Sequence, residues 1–155
     1  MSTMLSEQTV YYGPNDSTYP SVGTVFADEE ITVLWKDCDG WYHIEYTVTK
    51  TGKKNRGYVQ DGTVNVTENV ANLKSTVAQN SLYYCTAKTD YATYNTYTGP
   101  GTTSSYKVAG SISKGERVKF LYQTNGYAFI DYSISNSGGQ RKRAYIARSN
   151  LNISQ

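Results

Sequence analysis

The chain has 155 residues, of which 38% are apolar and 18% are charged, and its formal net charge is +2. This composition is too apolar and too weakly charged for a disordered chain, and so small a charge does not by itself indicate a nucleic-acid partner. One histidine and two cysteines are too few for a structural zinc site, which needs four Cys or His ligands. There is no apolar run of roughly 18 residues, so no membrane-spanning helix is predicted.

Tyrosine dominates the aromatic content, with 16 Tyr against 3 Phe and 2 Trp. Tyrosine suits half-buried strands and wet ligand surfaces, because its ring packs while its hydroxyl remains hydrogen-bonded. The composition therefore favours a β-rich chain with an aromatic surface.

An internal repeat organises the chain: residues 11–64 align with residues 97–151 and need few gaps. The aligned positions share structural character, as when Tyr11, Gly13 and Pro14 recur as Tyr97, Gly99 and Pro100. Agreement in both spacing and residue type over this length predicts a duplicated module.

Each copy is predicted to consist of short strands separated by turns. In the first copy, strands are predicted at 31–35, 41–48 and 56–60, with a turn at 36–40 and a polar hairpin at 49–55. The second copy repeats the pattern with strands at 117–122, 127–135 and 143–147. Its turn contains Asn125-Gly126, which is a strong hairpin signal.

Alternation along strand 41–48 assigns its side chains to two faces. The core face is assigned to the alternate residues that recur as apolar in the second copy, namely Tyr42, Ile44 and Tyr46. The opposite face carries Trp41 and His43. Several short strands in each copy close most simply as a small β-barrel.

The predicted organisation in chain order is an N-terminal tail at 1–8, a first barrel at 9–64, a connecting segment at 65–94 and a second barrel at 95–155. The connecting segment has no counterpart in the repeat. Val66, Val70, Leu73 and Val77 are spaced for one face of a helix, whereas residues 81–85 have the pattern of an added strand. An ordered strap is favoured over a flexible linker.

The residues of both copies resemble bacterial SH3 (SH3b) domains. The first copy carries Y-x-G-P, V-G-x-V, I-T-V-L-W, G-W-Y-x-I-E-Y and R-G-Y-V, and the second carries T-G-P-G, V-A-G-S-I-S-K-G-E, N-G-Y-A-F-I-D-Y and R-A-Y-I, which is similar to a sister subtype. The resemblance implies an all-β chain of two tandem SH3-like small barrels joined by an ordered connecting segment. In that family, such pairs bind the cell wall of Gram-positive bacteria for wall hydrolases and phage endolysins.

The resemblance implies a non-catalytic targeting module that needs no cofactor or metal. Its expected ligand is peptidoglycan or an attached wall polymer such as teichoic acid, and a catalytic hydrolase subunit is a further expected partner. Residues 1–10 lack the pattern of a secretory signal. The expected location is therefore the cell wall or the exterior, reached through phage lysis or as a piece of a longer lysin.

Aromatic residues near the groove of an SH3-like barrel are the candidate ligand contacts. They are Tyr12, Tyr19, Trp41 and Tyr58 in the first copy, and Tyr106, Tyr127, Phe129 and Tyr145 in the second. The alternative is that these rings pack the barrels or the interface between the copies. The ligand hypothesis requires the rings to line an open cleft, and one continuous core that encloses them would remove it.

Two basic hairpins occupy the same place in each copy. Their residues are Lys50, Lys53, Lys54 and Arg56 in the first copy and Arg141, Lys142 and Arg143 in the second. Solvated hairpin tips are the simpler interpretation. Attraction to an anionic polymer is the functional one, with nucleic acid as a weaker candidate.

No catalytic constellation emerges from the sequence. His43 aligns with Phe129, which is inconsistent with an essential catalytic imidazole. Cys38 and Cys85 occupy non-equivalent positions and have no histidine nearby in sequence. The repeated carboxylates, Glu29 with Glu116 and Glu45 with Asp131, are interpreted as turn or salt-bridge partners. The alternative function is a phage or bacterial protein-interaction module, in a virion or inside the cell, that uses the same SH3-like groove.

Overall fold

The protein is described by a computed structural model over residues 1–37, 40–67 and 83–153. Within these ranges the fold is all-β, with two antiparallel sheets of seven strands each and no α-helix. The described residues contain no helix with the length and apolar character needed to cross a membrane. Residues 1–67 are called half 1 and residues 83–153 are called half 2.

The strands of half 1 alternate with short turns, and a single 3-10 turn at Asp61–Thr63 precedes the last of them. The seven strands are β1 (Ser2–Met4), β2 (Gln8–Tyr11), β3 (Ser21–Val25), β4 (Glu30–Asp37), β5 (Trp41–Thr47), β6 (Lys54–Gln60) and β7 (Val64–Asn65).

Half 2 repeats this arrangement, including the 3-10 turn, which lies at Arg148–Asn150. Its strands are β8 (Tyr84–Ala87), β9 (Thr93–Tyr97), β10 (Val108–Ser113), β11 (Arg117–Thr124), β12 (Tyr127–Ser133), β13 (Arg141–Ala147) and β14 (Leu151–Asn152).

The two sheets have the same strand order. It is β3-β2-β6-β5-β4-β1-β7 in half 1 and β10-β9-β13-β12-β11-β8-β14 in half 2. The irregularities also recur, because the pairing of β4 with β5 shifts register at Leu34 and that of β11 with β12 shifts at Leu121. A bulge at the same place in both copies is a conserved feature of one module rather than a local defect.

The repeat extends beyond the residues that the sequence aligned. Residues 1–8 were predicted to be a tail, yet β1 pairs with both β4 and β7. Its counterpart β8 overlaps the predicted added strand at 81–85 and pairs with β11 and β14, so it belongs to the second sheet. The predicted helical positions Val70, Leu73 and Val77 lie outside the described residues.

The predicted core face of β5 is confirmed, because Tyr42, Ile44 and Tyr46 are buried in a cluster of apolar side chains. Ile130 and Tyr132 on β12 belong to the same cluster, which continues from one half into the other. The two halves therefore share one core rather than two separate ones.

The Y-x-G-P motif has a packing role in both halves. A Cβ atom at Gly13 would overlap the Tyr19 ring, and one at Gly99 would overlap the Tyr106 ring. Only glycine lets each ring lie directly against the backbone. The motif thus fixes the position of one tyrosine in each half.

Candidate functional site

The second face of the central strands is buried between the halves. A separate aromatic cluster fills this position with Trp35, Tyr58, Leu121, Phe129 and Tyr145. His43 completes it, since its ring stacks on Trp35 with centroids 4.3 Å apart and lies 5.0 Å from the Phe129 ring. Both faces of β5 and of β12 are therefore covered by protein.

Reciprocal hydrogen bonds surround this cluster. The Tyr106 hydroxyl donates to Glu45 Oε1 across the interface at 2.6 Å, and the Tyr19 hydroxyl donates to Asp131 Oδ2 at 2.6 Å. The same pair of groups therefore occurs twice, with the halves exchanging roles. This reciprocity is the pattern of an isologous, two-fold-like interface.

Two arginines extend the same reciprocity. Arg56 contacts Glu45 within half 1 at 3.0 Å and donates to the Tyr145 hydroxyl of half 2 at 3.0 Å. Its counterpart Arg143 contacts Asp131 within half 2 at 3.0 Å and donates to the Tyr58 hydroxyl of half 1, where the distance is 3.3 Å. Each guanidinium therefore links its own carboxylate to a buried tyrosine of the other half.

Backbone hydrogen bonds between the halves are reciprocal in the same way. Arg56 N donates to Thr98 O at 3.0 Å, while Arg143 N donates to Tyr12 O at 3.2 Å. Outside this pair, Lys54 N donates to Ser105 O and Arg141 N donates to Thr18 O, both at 2.9 Å. In each case, a loop of one half contacts strand β6 or β13 of the other half, so the two sides of the interface are equivalent.

The structure places most of the predicted ligand-binding rings inside protein. The buried ones are Tyr12, Tyr19, Tyr58, Tyr106, Phe129 and Tyr145, none of which is more than 9% exposed. These six rings fill the shared core and the interface, as expected under the alternative that they pack the protein rather than contact a ligand. Ligand contact at any of them would require that packing to open.

Trp41 and Tyr127 are the two predicted rings that remain half-exposed. Trp41 meets Tyr11 edge to face with centroids 6.0 Å apart, and Trp41 and Tyr127 both pack at the border of the aromatic cluster. Tyr127 occupies the equivalent place in half 2. Ligand contact stays a prediction at these two positions, where it needs no rearrangement.

The basic hairpins do not form a uniformly exposed positive surface. Arg56 and Arg143 lie at the interface as described, and Arg141 pairs with the buried Asp131. Lys142 is partly buried and donates to Ala109 O. Each of these charges is already satisfied within the protein.

The remaining hairpin lysines are those of half 1. Lys54 is exposed but lies 3.6 Å from Glu45 Oε2, Lys53 is half-exposed and Lys50 is exposed. Lys50 and Lys53 therefore remain as the hairpin cations most available to an anionic ligand.

His43 is in no position for proton transfer with solvent. It is 1% exposed, its Nε2 lies 3.3 Å from the Tyr145 hydroxyl, and its buried Nδ1 has no hydrogen-bond partner among the described residues. Burial is the main cause that lowers the pKa of His43 well below its ordinary value, and Arg56 and Arg143 lower it further. A neutral, enclosed imidazole has a packing role.

The other candidate chemical groups also have structural roles. Glu29 and Glu116 each accept a hydrogen bond from the backbone N of the residue three positions earlier, as the turn interpretation predicted. Burial raises the pKa of the Cys85 thiol to about 11, which keeps the thiol protonated at neutral pH. Cys38 lies outside the described residues. The described residues contain no cluster of three or more potential metal ligands.

A groove in half 1 provides a ligand-sized opening. It lies between the edge strand β3 and the hairpin that joins β5 to β6, and its volume is about 580 Å³. The exposed Phe26 ring, Val48, and the lysines Lys50 and Lys107 are among its lining residues. One carboxylate oxygen of Glu29, which also lines the groove, is buried without a partner among the described residues.

The equivalent groove in half 2 is smaller, at about 210 Å³. Lys142 extends into it and donates to Ala109 O on the edge strand β10. In half 1 the short Asn55 occupies that position, and Lys107 instead reaches across from half 2 to donate to Val22 O at 2.9 Å. The open groove therefore results from a difference between the copies.

Sequence reasoning missed this groove. The signal was present in the repeat alignment, where Phe26 stands opposite Ser113 and Asn55 opposite Lys142. Half 1 has an aromatic residue where half 2 has serine, and a short amide where half 2 has a long lysine. Together these two differences indicate a groove that is open in half 1 only. Positions at which the two copies differ would therefore have indicated the groove better than positions at which they agree.

Comparison with known proteins gives no assignment, because the sequence matches no protein-family model and no curated protein. The fold can be stated as all-β with two antiparallel sheets, which is compatible with an SH3-like β fold. The resemblance to bacterial SH3 domains therefore stays a hypothesis.

Proposed function

We propose that the protein is a non-catalytic binding module for the cell wall of a Gram-positive bacterium, built from two SH3-like barrels. Its ligand is peptidoglycan or an attached polymer such as teichoic acid, and it acts beside a wall hydrolase at the wall after phage lysis. The motif resemblance and the two equal strand orders support this proposal. The buried rings and paired arginines limit it to surfaces that remain open.

The half 1 groove is the observation that carries the proposal. Its volume lies within the range of roughly 300–1,000 Å³ that is typical of small-ligand sites. Phe26, which is 51% exposed, offers an apolar face to a sugar or peptide. Among the described residues, no carboxylate forms an ion pair with Lys50, so its charge is available to the carboxylates or phosphates of a wall polymer. The Lys107 ammonium lines the groove but already donates to Val22 O.

Half 2 contributes less to binding in this proposal. Its groove is filled by Lys142, and at about 210 Å³ it lies below that ligand-sized range. One principal site per chain is therefore expected. Trp41 and Tyr127 are secondary contacts, since each presents part of a ring to solvent.

Sedimentation with purified Gram-positive sacculi tests the proposal, with and without wall polymers stripped. Phe26→Ser, which installs the residue of half 2, should reduce the sedimented fraction at least about threefold while leaving the melting temperature nearly unchanged, because an exposed ring contributes little to stability. The matched control is Ser113→Phe, which adds a ring outside the open groove and should bind as the wild type does.

Trp41→Ala is a second variant to be measured by sedimentation with sacculi. Weaker sedimentation with an intact thermal transition would support a contact at Trp41, and equal loss of binding and folding would assign it to packing. Wild-type binding by both Phe26→Ser and Trp41→Ala would contradict the proposed function.

A peptide segment of another protein is the second candidate ligand. The apolar lining of the half 1 groove favours it, since Phe26 and Val48 offer a surface on which the side chains of an extended peptide can pack. Absence of sacculus binding, together with Phe26-dependent capture of a virion or host protein by the intact chain, would select this alternative.

A further inference from the structure

The polar contacts between the halves are chemically interchangeable. Each half offers a tyrosine hydroxyl, a carboxylate and an arginine, and each half receives the same three groups from the other. The backbone hydrogen bonds repeat in the same way. The ion pair between Arg143 and Asp37, at 3.4 Å, is an exception, because half 2 has Thr124 at the place of Asp37. The reciprocal contacts themselves do not distinguish a half 1 from a half 2.

The centre of the interface is different, because the halves supply unlike rings. Half 1 contributes Trp35 and His43, while half 2 contributes Tyr122 and Phe129 at the equivalent places. Trp35 lies edge to face on Tyr122 at 4.7 Å, and His43 packs on Phe129. Each of these pairs therefore joins two unlike rings.

Two copies of the same half would fit less well at the centre of the interface. Two copies of half 1 would oppose two buried imidazoles and two indoles, whereas two copies of half 2 would lose the Trp35 ring that covers Phe129. Specificity arises from such a difference between the right pair and the wrong pair. The outer contacts give affinity, and the central rings select half 1 with half 2.

We propose that this interface is a specific surface for a second copy of the chain. Half 1 of one chain pairs with half 2 of another, and the two chains form a half-exchanged dimer that reproduces the contacts of the monomer twice. Within one chain, the covalent link gives an effective concentration of roughly millimolar, so exchange becomes appreciable as the chain approaches that concentration. Exchange is slow, because a fully buried interface must first open.

Thiol cross-linking in the full chain with a short bismaleimide tests the proposal. In a background in which Cys38 is replaced by Ser and Cys85 by Ala, one chain carries Lys54→Cys and another carries Ser105→Cys. Lys54 N and Ser105 O are hydrogen-bonded across the interface at 2.9 Å, so thiols at these two positions lie within the span of a short bismaleimide, and the double variant cross-linked within one chain is the positive control. The two single variants can be linked only between chains.

The matched control measures pairing between two copies of half 1. Thr18 is the half 1 counterpart of Ser105, so a Thr18→Cys chain mixed with a Lys54→Cys chain is trapped only when two copies of half 1 meet. The mixtures are incubated at about millimolar concentration a few degrees below the melting midpoint, cooled, treated with the bismaleimide and separated by size.

The expected result is a covalent dimer from Lys54→Cys with Ser105→Cys that increases with concentration and exceeds the Thr18→Cys control by at least about tenfold. A cross-linked positive control without this dimer would overturn the proposal. Equal trapping in both mixtures would overturn the role of the central rings.

Discussion

Acidification should destabilise the protein through His43, the chain's only histidine. The folded state holds the imidazole neutral because burial and two arginines lower its pKa well below 6.5, whereas the unfolded state binds a proton near pH 6.5. The contribution of His43 to stability is therefore fully present above pH 6.5 and is lost as the pH falls below it. At pH 5.0 the loss should be about 2 kcal/mol relative to pH 8.0.

Urea unfolding at pH 8.0 and pH 5.0 measures this loss, and His43→Phe is the matched variant. The sister half carries Phe129 at the equivalent position, so the substitution uses a ring that this fold already accepts. The variant retains every carboxylate, and the difference between the two pH responses therefore isolates the imidazole. His43→Gln provides a second variant if the larger ring overpacks the cluster. An equal pH response in the wild type and in both variants would refute the assignment of a buried neutral histidine.

Two further predictions concern the packing motif and the interface charges. Gly99→Ala should cost about 1–3 kcal/mol in urea unfolding, because the new Cβ displaces the Tyr106 ring; Gly62→Ala, where nothing lies within 4 Å, is the control, and equal costs would contradict the packing role. Asp131→Asn should cost about 3 kcal/mol, since Arg141 loses its buried carboxylate and Arg143 keeps only Asp37. The equivalent Glu45→Gln should cost less, because Glu45 is more exposed than Asp131, and the reverse order of midpoints would contradict this reasoning.

The strands and the core face could be predicted from sequence because the repeat gave two independent views of one module. The strand predicted at 41–48 is β5 at Trp41–Thr47, and its core residues alternate as predicted. β1 was missed, and β8 was predicted only as an added strand at 81–85 outside the repeat, because such short strands lack a periodic signal and align at a different offset from the rest of the repeat. Only their pairing with neighbouring strands identifies them.

The candidate site was harder to predict because alternation shows that two faces differ but not what covers the second one. His43 and Phe129 were assigned to a non-core face, and that face is buried by the other half. The repeated pairing of Glu45 with Arg56 and of Asp131 with Arg143 was the available signal. Charged residues that recur opposite each other on adjacent strands indicate a shared contact as readily as a binding surface.

The lysines that reach the edge strands have a consequence for behaviour at high concentration. Lys107 donates to Val22 O on β3, and Lys142 donates to Ala109 O on β10. An ammonium group bound at the margin of a sheet prevents a foreign strand from continuing the hydrogen-bond ladder. Acetylation would remove the charge from both amines and weaken this protection, so strand addition between chains at high concentration should increase.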